Sequence, residues 1–397
     1  MVYLLLAGFI IRIVIAVFTV NWDFLRITQI TLNYSAGGLE KIYEDPLSLY
    51  PVLTYWTRYF LIYLTRPFLG ASISGWNKSG DLAILYDPFI FRNLFFLKLP
   101  FILIELSTAF IFSRLLTGRA KKSFLVIWMT SPVALYSIAA FTNVDVFPIF
   151  FLALSIFFLN KKRSLPGAFL LGVATAYKLF PLLLLPFLLF SIKNIMKRLK
   201  HLLFFLIPVI GTQIPVFGLP QYWKNSFSAG ANRLILASTI NIGNNKVLIL
   251  FIVFYCLILF HFITDRKNNK KVNLYFFLVL SLIFSVSAFN IQWVYWLLPF
   301  IIYYQIFFER EKTVVYILNL AYLGIILFSQ AGLNIGMFSP IEPSFWTINN
   351  PLLTVINRET NILIINTCYS LFAASVIFMA VRIYREKGEE IFINEKA

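Results

Sequence analysis

Three residues of this chain have types and settings that could do chemistry: Asp23, Asp145 and Lys178. Lys178 breaks the otherwise apolar stretch 164–192, with Pro181 close behind it. A lysine at the centre of a membrane helix costs about 2.5–3.5 kcal/mol unless it sits at a break, snorkels or is paired. A phosphate is a suitable partner, because ammonium groups and half-helix N-termini both attract anions; the plainer alternative is a lysine snorkelling to the interface. Asp23 closely follows the first apolar run and is the best candidate for a general base, since a partly desolvated carboxylate there could take a proton from an attacking hydroxyl; the plainer alternative is a solvated loop acid. Asp145 closes Thr142-Asn143-Val144-Asp145 and could anchor a helix end or hydrogen-bond a substrate. Glu44 and Asp45, followed by Pro46, read more as a turn than as a site.

The elements that must position these residues follow from composition. The chain has 397 residues, 60% of them hydrophobic and only 13% charged, whereas soluble domains run at about 45–50% apolar and about 25% charged. This is not a soluble globular chain. Apolar runs fall at 2–20, 94–116, 123–141, 146–160, 164–177, 179–192, 201–218, 246–264, 272–288, 293–308, 313–331 and 360–381, against the roughly 20 residues a spanning helix needs. The expected fold is an all-α polytopic membrane protein of about 11–12 membrane segments, with 164–177 and 179–192 as a broken or re-entrant pair. Such breaks occur where backbone lines an enclosed or watery cavity. The first run is read as a retained span, since Arg12 lies inside it and no small-residue cleavage site follows.

Charge orients these spans. The clusters Arg114–Lys122, Lys161–Arg163, Lys193–Lys200, Arg266–Lys271, Arg310 with Lys312, and the tail from Arg382 hold 21 of the 34 Lys and Arg. The positive-inside bias makes theirs the cytoplasmic face, near +14, and leaves the outer face near +3. The formal charge of +17 is then a topological label and not a nucleic-acid footprint. Three longer outer segments remain, 21–93, 219–245 and 332–359, within a single integral membrane domain; the first two form the expected cover of the active site. Asp23, Asp145, Lys178 and Gln292-Trp293 all fall at the same outer mouth. An even span count puts both termini in the cytoplasm.

Other chemistries find no support. His201 and His261 fall on the cytoplasmic side and Cys256 and Cys368 lie in apolar runs, so no zinc or haem set is visible. No glycine-rich phosphate loop follows a strand. Arg12 and Glu105 are intramembrane charges that could pair with each other.

The motifs now admit a comparison. Trp22-Asp23-Phe24, Ile42-Tyr43 and Leu49-Tyr50-Pro51-Val52-Leu53 are similar to the first outer loop of the GT-C superfamily of membrane glycosyltransferases. Within it, the chain resembles the catalytic subunit of GPI mannosyltransferase I and related bacterial polyprenyl-phosphate-mannose-dependent enzymes. Ser131-Pro132-Val133 with Thr142-Asn143-Val144-Asp145 resembles the family's pair of Asn-Pro and Gly-Gln-x-Asp or Gly-Asn-x-x elements around the third span. Ala176-Tyr177-Lys178-Leu179-Phe180-Pro181 follows its Lys-x-Tyr/Phe-Pro signature, and Gln292-Trp293-Val294-Tyr295-Trp296 its Gln-Tyr-x-x-Trp element. The likeness runs from Asp23 to about Pro299. It departs where the loop has one acid instead of Asp-x-Asp, where Val52 replaces proline and where Thr142 replaces glycine.

This resemblance implies inverting transfer of a hexose, most often mannose, from a polyprenyl (dolichyl) phosphate sugar to a lipid-linked or glycan acceptor at the outer or lumenal face of the plasma membrane or endoplasmic reticulum. Asp23 would be the catalytic base and Lys178, with Arg26, would hold the donor phosphate. Asp145, Asn143, Tyr50, Gln292 and Trp293 would contact substrate. No cofactor is implied, and the single loop acid argues against a metal. Membrane lipids and the two substrates are the expected partners; there is room for a small membrane subunit and no role for nucleic acid. Two rivals share the many-span pattern: a solute or lipid transporter (a flippase), which would carry ionisable residues deep in several spans, and a non-catalytic subunit of a glycosylation complex.

Overall fold

In a computed structural model of the chain, residues 2–227, 234–265 and 272–387 are described. The basic run Arg266–Lys271, the 228–233 part of the second outer segment and the tail beyond Lys387 lie outside them. The architecture is helical, and every apolar run of the sequence has a helical counterpart. In chain order, α1 is Val2–Phe18, α2 Trp22–Leu32, α3 Tyr34–Tyr43, α4 Val52–Thr65, α5 Asp81–Leu85, α6 Ile90–Ser113, α7 Gly118–Thr130, α8 Pro132–Ala134, α9 Val146–Asn160, α10 Ser164–Tyr177, α11 Leu185–Phe190 and α12 Ile195–Gln213. Four apolar helices follow, Leu250–Thr264, Val272–Val286, Leu298–Phe307 and Lys312–Phe328, and then the long Arg358–Lys387.

Not every apolar helix is a full span. Four are long and apolar enough to cross a membrane, or six if each of two bent pairs counts as one. The others are shorter, such as the 15 residues of Leu250–Thr264, which reach about 22 Å at 1.5 Å per residue against about 30 Å of hydrocarbon. Together they make this an integral membrane protein. The expected all-helical character has one small exception: β1 (Thr239–Gly243) pairs antiparallel with β2 (Lys246–Ile249). Asn244 and Asn245 between them both have positive φ, 49° and 58°, as a two-residue I′-type hairpin requires.

The first outer segment is a folded cap, not a loop. Phe24, Leu25, Ile73, Trp76, Ile84 and Leu94 belong to a core cluster separate from the main one, formed by α2, α4, α5, the start of α6 and the 3₁₀ turn Ala71–Lys78. Asp87 is structural here: it accepts Trp76 Nε1 at 2.7 Å and the Phe89 amide at 2.8 Å. Between α1 and α2 the chain turns by 76°. Three bonds pin that corner: Lys98 Nζ to the Thr19 carbonyl (2.6 Å), the Val20 amide to the Met337 carbonyl (2.7 Å), and Asn21 Nδ2 to the Gly332 carbonyl (3.0 Å).

Deeper in the membrane region, Arg12 on α1 and Glu105 on α6 do pair. Arg12 Nε and Nη2 donate to the two carboxylate oxygens at 2.8 and 3.0 Å, and Trp128 Nε1 on α7 donates at 2.5 Å. The remaining guanidinium donors reach the carbonyls of Gly8, Met129 and Trp128, so the pair is saturated and ties three helices together. A third intramembrane charge joins them. Lys98, fully buried on α6, also donates to the Ala140 carbonyl at 3.2 Å and has no carboxylate partner among the described residues. Tight packing holds α10 against α12, since a Cβ on Gly172 would lie 2.1 Å from the Phe205 carbonyl oxygen.

Candidate active site

The break expected at Lys178 is present. The ring of Pro181 removes a backbone donor; α10 ends at Tyr177, Lys178 is extended at φ −160°, ψ 142°, and the chain resumes as the 3₁₀ turn Phe180–Leu184 before α11. The cap locks onto this break through α4. Thr54 Oγ1 donates to the Tyr177 carbonyl at 3.2 Å, and Thr57 Oγ1 lies 2.7 Å from the Tyr177 hydroxyl.

Lys178 points at Asp145. Its Nζ lies 2.7 and 2.9 Å from the two carboxylate oxygens, which also accept Trp296 Nε1 at 2.8 Å and Asn143 Nδ2 at 3.0 Å. Asp145 is wholly buried, while the Lys178 side chain keeps 17% of its exposure. It also lies over the rings of Trp293 and Trp296, at 4.6 and 4.9 Å, a cation–π arrangement that strengthens when desolvated. Trp296 is held in turn by Phe180, stacked at 3.8 Å.

The tight turn Thr142–Asp145 sets the carboxylate in place. Thr142 has φ 61°, Asn143 Oδ1 accepts the Asp145 amide at 3.2 Å, and Asn143 Nδ2 reaches the Gln292 backbone carbonyl at 3.4 Å. Thus Asn143, Asp145, Lys178, Gln292 and Trp293, drawn from distant parts of the sequence, form one cluster.

Asp23 stands beside it. The half-buried carboxylate makes no hydrogen bond to the described residues, while its own amide is capped by Asn21 Oδ1 at 2.8 Å. Burial pushes the carboxyl above its usual range; the nearby Lys178 ammonium draws it down and Asp145 pushes it up again. The same neighbourhood includes Tyr50, whose phenol is raised by burial first and then by the charges of Asp23 and Asp145.

Arg26, one turn after Asp23 on α2, has a partner of its own. It forms an ion pair with Asp45 at 2.6 Å and so closes the turn in which Asp45 Oδ1 also accepts the Leu47 amide. Glu44 pairs with Lys41 on the surface.

Two features were missed by the residue-by-residue reading. Trp296 is the indole donor to Asp145, and its spacing from Trp293 could have shown it, since residues three apart eclipse in the 3₁₀ helix Ile291–Trp296. Arg58 is buried on α4 with Tyr55 and Ile62, packs on Phe24 and Phe101 and donates to Thr28 Oγ1 at 2.6 Å; its Nε and Nη1 find no partner among the described residues. Among those residues no group of three or more His, Cys, Asp or Glu could hold a metal.

A half-buried carboxylate beside an oriented ammonium, set among apolar helices, is equipment suited to group transfer within a membrane protein. The class is a membrane glycosyltransferase. The chain belongs to glycosyltransferase family 87, whose family model matches residues 83–298, just over half of the chain. That span includes Asn143, Asp145, Lys178, Gln292, Trp293 and Trp296, while Asp23 precedes it. No curated protein matches the chain. Membership of a glycosyltransferase family sets the transporter reading aside.

Proposed function

We propose that the protein transfers a hexose, mannose first among the choices, from a polyprenyl-phosphate sugar to a lipid-linked or glycan acceptor at the extracytoplasmic face, with inversion. The likeness to GPI mannosyltransferase I and its bacterial relatives motivates the donor. The observation that carries the reading is the Asp23 carboxylate, without a hydrogen bond among the described residues, standing within electrostatic reach of the Lys178–Asp145 pair.

In the proposed step the acceptor hydroxyl attacks the anomeric carbon from the face opposite the phosphate. Its proton passes to Asp23, the new C–O bond forms, and the electron pair of the breaking anomeric C–O bond leaves on the lipid phosphate. Burial suits Asp23 to this work, because a raised proton affinity brings a carboxylate nearer the pKa an effective general base needs. Lys178 donates two of its three N–H bonds to Asp145, and the third can meet the phosphate and stabilise the charge that develops there. Asp145, Asn143 and Trp296 are positioning residues: they fix the ammonium and do not touch the reacting atoms. Tyr50, Gln292 and Trp293 line the approach. Arg26 gives Nη2 to Asp45, while its Nε has no partner among the described residues, so it could assist with the phosphate without leaving Asp45.

The test is transfer of radiolabelled hexose from polyprenyl-phosphate mannose into membrane lipids by the purified protein. The expected result is transfer by wild type and loss of about 10²-fold or more with Lys178→Ala, the scale of removing one electrostatic donor. Absence of transfer from this donor by wild type, with transfer from a nucleotide sugar instead, would overturn the reading.

A further inference from the structure

A concavity opens at Trp22, the residue before Asp23. It has a volume of about 540 Å³ and is lined by Trp22, the Gln330–Gly332 turn and the Trp346–Thr354 segment, within the roughly 300–1,000 Å³ of small-molecule sites. Its walls come from two segments that the charge distribution puts outside. They are tied together where Asn21 Nδ2 meets the Gly332 carbonyl, and Trp22 immediately precedes Asp23. Tyr136 donates to the neighbouring Leu333 carbonyl at 2.9 Å.

The lining has a particular chemistry. It contains no charged side chain, which argues against a phosphate or a cation as occupant. Two indoles are present: Trp22 is 43% exposed, and Trp346 is held by packing against the core of the cap. The side-chain amides of Gln330 and Asn349 are exposed and make no hydrogen bond to the described residues. Asn350, in contrast, is committed to the Leu327 and Ser329 carbonyls at 2.7 Å each. Apolar ring faces with a polar tip, next to free amide donors and acceptors, match a ligand with C–H faces and a belt of hydroxyls.

We propose that this groove binds the neutral carbohydrate portion of the acceptor and presents its hydroxyl toward Asp23. This rests on the transfer reading for what the bound sugar does, but the binding can be measured without it. The protein is placed in phosphatidylcholine nanodiscs free of sugar-headed detergent and probed by saturation-transfer NMR with methyl α-mannoside, methyl α-glucoside and methyl β-galactoside. At least one glycoside is expected to give a signal that falls about fivefold in Asn349→Ala and Trp22→Ala, the scale of losing one contact of about 1 kcal/mol. Both positions are exposed, so these variants should fold; Trp346→Phe, which keeps an aromatic face, should retain binding. In the transfer assay the same variants should raise the acceptor KM and leave the donor KM unchanged.

No glycoside signal in wild type, signals equal in wild type and both Ala variants, or a raised donor KM with an unchanged acceptor KM would overturn the proposal. Groove-dependent glycoside binding without any transfer from polyprenyl-phosphate mannose would instead sink the transfer reading and leave the groove standing.

Discussion

Lys178 and Asp145 form a two-point ion pair, with Nζ 2.7 and 2.9 Å from the two carboxylate oxygens, in which only the lysine side chain retains any exposure. The pair solves the problem of keeping a lysine amid apolar helices: the carboxylate supplies the missing charge and two indole faces supply the rest.

Asp145→Asn should therefore act through Lys178. Removing one partner of a buried pair costs about 3–5 kcal/mol. The remaining exposure of Lys178 and the hydrogen bonds an amide can still make put the expected loss at or below the bottom of that range, read as a lower Tm. Transfer should weaken through the donor KM. A variant with full stability and an unchanged donor KM would remove Asp145 from its positioning role.

Asp23 should show its burial as a pH dependence. A base works only when ionised, and burial favours the protonated form. So kcat/KM should fall about tenfold per unit on the acid side of an inflection lying above the ordinary aspartate value of about 3.9. The stability sign is opposite. A carboxyl whose folded pKa is raised stabilises the fold while protonated, and that contribution is lost as pH rises through the folded pKa. Asp23→Asn should accordingly keep or raise the Tm near neutral pH. A Tm drop there would mark Asp23 as structural.

Arg12 and Glu105 give a stability test remote from the site. Glu105→Gln leaves a buried guanidinium short of its counter-charge and should cost about 3–5 kcal/mol, whereas Arg12→Met with Glu105→Leu should recover most of that loss. Equal Tm values for wild type and Glu105→Gln would mean that the pair contributes nothing to holding α1, α6 and α7 together.

Thr142 is a β-branched residue at positive φ, with a buried hydroxyl that lacks a partner among the described residues. Thr142→Gly should raise stability by about 1 kcal/mol, since relief of left-handed strain and of the orphan hydroxyl outweighs the extra chain entropy of glycine. Glycine is what the resembling motif has at this position, and the left-handed backbone is the physical reason. A lower Tm for the glycine variant would refute the strain.

Much of this was legible in the residues because a membrane leaves few choices. Apolar runs had to be helices, and Lys178 with Pro181 had to break one. Asn143, Asp145, Lys178, Gln292 and Trp293, placed together by the span assignment, do meet in one cluster. What could not be read was tertiary in origin. Whether an apolar helix makes a full span depends on packing and tilt, so twelve runs yielded fewer full-length helices. Arg26 went to Asp45 because the fold of the cap brings a turn acid to it, which no spacing shows. Lys98 was counted with the outer charges, although its span hides it behind backbone carbonyls. The outer segment 332–359 had no motif, yet it forms one wall of the groove at Trp22.

The central claim is that Asp23 takes the acceptor proton in a transfer from a lipid-phosphate sugar. The most direct measurement compares wild type with Asp23→Asn for hexose transfer from polyprenyl-phosphate mannose, with donor binding determined in parallel. The expected result is a loss of about 10²–10⁴-fold in transfer with donor Kd changed by less than about threefold, under 1 kcal/mol. Transfer by Asp23→Asn within tenfold of wild type, about 1.4 kcal/mol, would contradict it.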